Sequence, residues 1–236
     1  MRNFLRNKII KRSTFNLYLN QLSDLKSLVR KAGNFQGEYL QDYWAITECG
    51  FKTNGYFVEF GAANGKEISN TYILENQYSW NGILSEPARS FKDELLKNRK
   101  CSIDHRAVWD VSGKELKFME NKDAFLSSLH SKENANTLGE KESYLVETIT
   151  LTDLLKTHSA PKIIDFCSID VEGFEYKILK KFFADGIYSI NHIAVEHNWR
   201  ADGNLLIDLF LENGYTQKYM HLSQRDYWFS RISIST

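Results

Sequence analysis

The sequence has only two prolines, Pro87 and Pro161, in 236 residues, and no repeat, low-complexity tract or Gly/Ser linker. Composition therefore marks no domain boundary, and the length points to one large domain with an ample core. Cysteine is also scarce. Cys49, Cys101 and Cys167 are scattered, odd in number and free of any C-x-x-C pair. That excludes zinc-ribbon and dithiol motifs and fits a reducing, cytoplasmic compartment. An excess of charge is missing too: Lys plus Arg and Asp plus Glu number 30 each, so no global basic field makes nucleic acid the expected partner. No apolar run approaches the roughly 20 residues of a membrane helix, and no signal-peptide core follows the basic start. A soluble protein is expected.

The one local bias is the opening "MRNFLRNKIIKR", where Arg2, Arg6, Lys8, Lys11 and Arg12 precede the first acidic residue, Asp24. With Phe4, Leu5, Ile9 and Ile10 interleaved, it reads as a solvated lead-in helix; the alternative is peripheral attachment to an anionic membrane, or self-association. "LYLNQLSDLKSLV" and "EYLQDYWAITECGF" carry apolar residues near a 3.6 period, so residues 1–51 read as a helical N-terminal extension and 52–236 as the main domain.

From Tyr56 the pattern alternates. Strands are expected at 56–61, 82–86 and 102–108, with helices at about 67–77 and 88–98 between them. A hairpin-like insertion around "KELKFME" and "YLVETIT" follows. Helix "LTDLLK", strand "IIDFCSID", helix "FEYKILKKFF", strand "INHIAVEH" and helix "NLLIDLFLENG" resume the alternation, and "TQKYMHL" with "DYWFSRI" closes the chain as an antiparallel hairpin. The fold class is α/β: a mostly parallel, doubly wound sheet with an antiparallel C-terminal end. Residues 121–143, polar and without periodicity, read as a loop or lid.

The turn in "YFVEFGAANGKEISN" lies where such a sheet binds ligands, because the next helix aims free N–H groups there. Gly61 and Gly65 bracket it. A dinucleotide fingerprint needs glycine where Ala63 stands, which counts against NAD, and a Walker loop needs Ser or Thr where Glu67 stands, which counts against ATP. A nucleoside ligand without phosphates remains, S-adenosylmethionine being the common one. Glu86 ends the second strand about 20 residues beyond the turn, where an acidic side chain accepts from ribose hydroxyls. Asp170 and Glu172 end the strand "IIDFCSID" before Gly173, and Glu196, His197 and Asn198 end the next. Polar groups thus converge at neighbouring strand ends.

"GYFVEFGAANGKEISNT", "LENQYSWNGILSEP", "TLTDLL" and "IDFCSIDVEGFEYKIL" together resemble the FkbM-type family of S-adenosylmethionine-dependent methyltransferases, over roughly residues 36–222. "DVEGFE" and "SNTYILE" are the most specific pieces. The resemblance implies a Rossmann-like class I methyltransferase fold and methylation of a hydroxyl on a glycan or natural product. It implies Glu59, Gly61, Ala62 and Gly65 around the methionine part of the cofactor, with Ser69 and Asn70 at the following helix. Glu86 would hold the ribose, Arg106 and Ala107 would border the adenine, and Asp170 would sit near the sulfonium and the incoming hydroxyl.

Methyl transfer to oxygen needs alignment and a destination for the hydroxyl proton. Asp170, Glu172 and His197 are the candidate bases. The alternative is a Mg²⁺-type ion held by Asp170 and Glu196, which would acidify the hydroxyl. Ser128, His130 and Lys132 in the lid segment would touch the acceptor, and Trp80, Trp109, Trp199 and Trp228 are candidates for stacking on a sugar ring. A non-catalytic nucleoside- or glycan-binding module and an NAD-dependent oxidoreductase stay open as other readings.

Overall fold

The computed structural model describes residue 29 and residues 33–122, 127–129, 140–198, 203–220 and 222–232. The basic N-terminal segment lies outside these residues, as do His130, Lys132, Trp199 and His221. In chain order come α1 (Gln41–Glu48), β1 (Tyr56–Phe60), α2 (Tyr72–Tyr78), β2 (Asn81–Ser85), a short 3₁₀ turn (Arg89–Phe91), α3 (Lys92–Asn98), β3 (Ser102–Asp104), β4 (Ala107–Trp109), β5 (Glu115–Asn121), β6 (Ser128–Leu129) and β7 (Glu140–Thr150). Then follow α4 (Leu151–Thr157), β8 (Ile163–Ile169), α5 (Glu175–Asp185), β9 (Ser189–Glu196), α6 (Gly203–Glu212), β10 (Tyr215–Lys218) and β11 (Asp226–Arg231).

The main sheet has seven strands in the order β10-β11-β9-β8-β1-β2-β3. β1 pairs in parallel with β2 and β8, β2 with β3 and β8 with β9, and β11 alone runs opposite to the other six strands. Strand order reverses between β1 and β8, and a crevice opens at such a switch point. The fold is the Rossmann-like, doubly wound sheet with an antiparallel C-terminal hairpin.

Alternation along the strands sorts side chains to two faces. Val58, Phe60, Ile83, Cys167 and Ile169 pack with Leu154, Leu179 and Phe210 from α4, α5 and α6. Phe57, Leu84 and Phe166 face the other way, against Trp44 and Ile46 of α1, Leu74 of α2 and Leu95 of α3. Burying each such side chain contributes about 1.5–3 kcal/mol. Phe35, Tyr39 and Leu40, ahead of α1, belong to this second core, so the described part of the lead-in is packed onto the sheet. The start of α4 is fixed locally: Asp153 N donates to Thr150 Oγ1 at 3.1 Å, an N-cap. No helix among the described residues is long and apolar enough to cross a membrane.

The expected strand 102–108 is two strands. β3 pairs with β2, whereas β4 pairs with β7 in a separate four-stranded sheet, β4-β7-β5-β6. The break has a local cause: Asp104 accepts from both Arg106 N and Arg106 Nε at 2.9 Å, a side-chain contact that competes with ladder pairing. The insertion is an antiparallel β5–β7 pair extended by β6, so strand enters the segment 121–143 at Asn121, Ser128, Leu129 and from Glu140. The helix expected from Glu67 begins at Tyr72, because Ser69, Asn70 and Thr71 are engaged by Glu59.

Candidate active site

At the switch point Gly61, at φ 76°, closes β1 onto β8. A Cβ there would lie 2.0 Å from the Asp170 carbonyl oxygen, so only glycine fits. Gly65, at φ 74°, serves a different end: its Cβ would meet Leu95 and Arg99, and its carbonyl accepts from Arg99 Nη1 at 3.1 Å. Arg99 is the buried cation behind the turn. It donates to Glu75 at 2.6 Å and to Thr71 Oγ1 at 2.9 Å, and lies 3.6 Å from Glu59. Glu59 in turn accepts from Ser69 Oγ at 2.9 Å, Asn70 N at 2.8 Å and Thr71 Oγ1 at 2.5 Å. Glu59 and Arg99 thus hold the turn in shape.

Glu86, at the end of β2, accepts from Ala63 N at 2.8 Å with one oxygen and from Ala88 N at 2.7 Å with the other. Each oxygen keeps a second acceptor position. Burial pushes its carboxyl up to about 7 against the pull of those two N–H groups, with the charges of Asp170 and Glu120 adding to the rise. A donor placed on Glu86 would favour its ionised form.

Between these groups lies a cavity of about 100 Å³. Its acidic part carries Glu59, Glu67, Asp170 and Glu172, with Ser69, Asn70 and Ser168 hydrogen-bonded in a chain from Glu59, and Glu86 lines it too. The other part is apolar, walled by Phe91, Ala107, Val108, Phe118 and Leu129, with Ser127 and Ser128 at its edge. In the acidic part Asn70 donates to Ser168 Oγ through Nδ2 at 2.8 Å, while its buried Oδ1 has no hydrogen-bond partner among the described residues. That acceptor is closed off from the cavity, on the side of the lead-in. Gly37 of the lead-in passes close to it: a Cβ on Gly37 would lie 2.8 Å from Asn70 Oδ1. Ile68, half exposed at φ 53°, also lines the cavity. A β-branched residue in that conformation is rare and marks a constrained turn.

Asp170, Glu172 and Glu196 each bring a carboxylate oxygen within 4.8 Å of the others. Asp170 and Glu172 line the cavity; Glu196 does not. Burial, followed by the charge of Asp170 and a hydrogen bond with it, pushes the Glu196 carboxyl far above the usual carboxylate range. The loop that presents them is held by Glu175, which accepts from Val171 N at 3.2 Å and Gly173 N at 3.0 Å. Glu172 sits at φ 59°.

His197 is placed otherwise. It is buried, stacked on Tyr227 with centroids 3.9 Å apart, and absent from the cavity lining; burial holds its imidazole below the usual range, against a hydrogen bond to the Gln224 backbone. Of the adenine candidates, Ala107 lines the apolar end. Arg106 does not: its guanidinium is forked onto Asp104, and its carbonyl accepts from Ser85 Oγ at 2.8 Å. The aromatic candidates are engaged in packing. Trp228 stacks on Trp44 at 5.0 Å, Trp109 meets Phe174 edge-on at 4.6 Å, and Trp80 Nε1 donates to the Lys52 carbonyl at 2.7 Å. Phe91, Phe118 and Arg99 carry no signal in the sequence that marks them for the site. Nothing in "RSFKDELLKNRK" separates a buried arginine from the lysines around it.

The methyltransferase FkbM domain matches residues 59–216, well over half of the chain and every residue that lines the cavity. No curated protein gives a significant match. Among solved structures, precorrin-6y C5,15-methyltransferase from Geobacter metallireducens GS-15 is similar at 8% identity and a TM-score of 0.43, over 75% of this chain and 71% of that one. The METTL16 MTase domain matches at 14% and 0.46, over 81% of this chain and 66% of that one. The N-terminal domain of human METTL16, in complex with SAH, matches at 13% and 0.43, over 81% and 68%. Values this low leave the family match and the chain's own topology to decide. The chain belongs to the FkbM family of S-adenosylmethionine-dependent methyltransferases.

Proposed function

We propose that this chain transfers a methyl group from S-adenosylmethionine to a hydroxyl of a carbohydrate, glycoconjugate or similar natural product. The observation that carries the reading is the cavity's polarity. Its carboxylates suit the positively charged amino-acid and sulfonium portion; Glu86 would accept from ribose hydroxyls; the Phe91–Phe118 wall suits an apolar base. The described lining residues include five carboxylates and no Lys, Arg or His. An acceptor with hydroxyl donors suits such a lining better than one bearing phosphate.

The donor, when bound, supplies an electrophilic methyl on sulfur. This chain's part is to align the acceptor oxygen and to take its proton. Asp170 is the proposed base: it lines the cavity, is exposed, and shares a hydrogen bond with Glu196 that orients its carboxylate. Glu172 is the second candidate on the same loop. His197 would act on substrate only through a rearrangement of its stack on Tyr227. The proton lost by the hydroxyl goes to the carboxylate as the carbon–oxygen bond forms and the sulfur–carbon bond breaks, leaving a neutral thioether.

A second reading has its own observation. Asp170, Glu172 and Glu196 form a donor set that would hold a divalent cation, which would acidify and fix the hydroxyl. Incubation with methyl-labelled S-adenosylmethionine and a panel of sugars and hydroxylated natural products, with and without EDTA, tests both. Label entering a hydroxyl acceptor, abolished in Asp170→Asn with the fold intact, supports the proposal. Full activity in that variant removes Asp170 as base, and loss of activity in EDTA, restored by Mg²⁺, selects the metal-assisted form.

A further inference from the structure

We infer that Tyr144, acting with Glu120 and the backbone of Arg89, is a positioning unit for the nucleoside half of the cofactor. It rests on the cofactor reading above and adds a part for the smaller sheet: β5 and β7 set how Glu86 and the apolar walls are presented.

The loop after β2 spends its backbone N–H groups in two directions. Ala88 N donates inward to Glu86 at 2.7 Å; Arg89 N, the next along, donates outward, to Tyr144 Oη at 2.9 Å and Glu120 Oε2 at 3.2 Å. Tyr144 Oη gives its own proton to Glu120 Oε2 at 2.6 Å. The Arg89 guanidinium lies 3.8 Å from the centroid of the Tyr144 ring and covers it. Glu120 is buried at 1% exposure, so its acceptor bonds are made away from water, where a hydrogen bond to a charged group counts most. Burial and the Glu120 carboxylate push the Tyr144 hydroxyl up, and it stays a donor across the working range of pH.

The same strands carry the cavity's apolar walls. Phe118 on β5 is the register partner of Tyr144 on β7, with rings 5.7 Å apart, and Phe118 and Leu129 face Phe91 at the other end of the loop. Two peptide units therefore separate the Glu86 carboxylate from the anchor on the smaller sheet. An anchor of this kind acts on binding through Glu86, whereas a tie that merely joins two sheets does not.

Titration calorimetry separates these cases. The ligands are S-adenosylhomocysteine and 5′-methylthioadenosine, which keeps the nucleoside and lacks the amino acid. The proteins are wild type, Tyr144→Phe, Glu86→Gln and the double variant, with a thermal unfolding midpoint for each. Tyr144→Phe is expected to weaken both ligands by the same factor, about tenfold, as for loss of a hydrogen bond to a charged group. In the Glu86→Gln background the same change is expected to add little, because the two residues act on one contact. Unchanged affinity in Tyr144→Phe, or a full additional loss in the double variant, overturns the inference while leaving the cofactor reading in place. Wild type that binds neither ligand overturns both. Should Tyr144→Phe fail to fold, Glu120→Gln reads the same coupling: a loss shared by the two ligands and absorbed by Glu86→Gln supports it, and no loss overturns it.

Discussion

Gly61 and Gly113 share a left-handed backbone, at φ 76° and 73°, but a Cβ on Gly61 would strike the Asp170 carbonyl at 2.0 Å, whereas one on Gly113 meets nothing within 4 Å. Gly113→Ala should therefore cost only the conformational strain, about 1 kcal/mol, and Gly61→Ala roughly 3–5 kcal/mol, since β1 must separate from β8. Urea unfolding of the two variants measures the difference; equal losses would contradict the close approach. Arg99 is the second such residue. Its side chain is fully buried between Glu59 and Glu75, and Arg99→Met should cost roughly 3–5 kcal/mol by leaving buried carboxylates unpaired. Gly61 was legible because a glycine that ends an apolar strand marks a turn where backbone comes close to something else. Arg99 was not, because burial of a charge depends on partners that sequence order separates from it.

At the scale of elements, alternation identified β1, β2, β8 and β9 along with α5 and α6, since each carries a run of apolar residues at one period. It misjudged 102–108, where "SIDHRAV" carries no Gly or Pro to mark a break although the chain changes sheets at His105 and Arg106. The switch is made by Asp104, which holds Arg106 and lies 3.0 Å from His158 Nε2. Burial alone would raise the Asp104 carboxyl, but the hydrogen bonds from Arg106 and His158 outweigh it and hold it at about 2. A folded-state value below the unfolded one of about 3.9 gives stability that is present above pH 4 and is lost as the pH falls toward 2. Asp104→Ala should then cost about 1.5–3 kcal/mol at pH 7, and much less near pH 2.5, in unfolding experiments at the two pH values. A cost that does not change with pH would mean that packing, and not the charge, fixes the corner between the two sheets.

Across the whole molecule, the cavity is assembled from pieces far apart in the chain: the turn after β1, the loop after β2, the end of β8 and the smaller sheet. The acidic half was visible as carboxylates at strand ends. The apolar half was not, because Phe118 and Leu129 come from an insertion whose place over the main sheet no local pattern encodes.

Assembly also concentrates buried acids. Desolvation first of all raises Asp42 to about 6 and Glu86 and Asp226 to about 7. Carboxyls with raised folded-state values favour the folded state at low pH and withdraw that support as pH climbs through 6 to 7. His192 and His197, whose values burial lowers, work in the opposite sense only below about pH 6.5. The unfolding midpoint of the ligand-free protein should consequently fall between pH 6.5 and 8; a rise over that range would contradict these burial effects. Ribose donors on Glu86 favour its ionised form, so ligand binding near pH 7 should release up to about half a proton, read from calorimetry in buffers of different ionisation enthalpy.

The most direct test of the central claim, that this cavity holds an adenosyl cofactor with its charged end on the Asp170 side, is calorimetric titration of the protein with S-adenosylmethionine, S-adenosylhomocysteine and NAD. The account predicts micromolar binding of the two adenosyl compounds and none of NAD, with the S-adenosylmethionine affinity falling in Glu86→Ala by about 1–3 kcal/mol. Binding of NAD alone, or affinity for S-adenosylmethionine that survives Glu86→Ala unchanged, would contradict it.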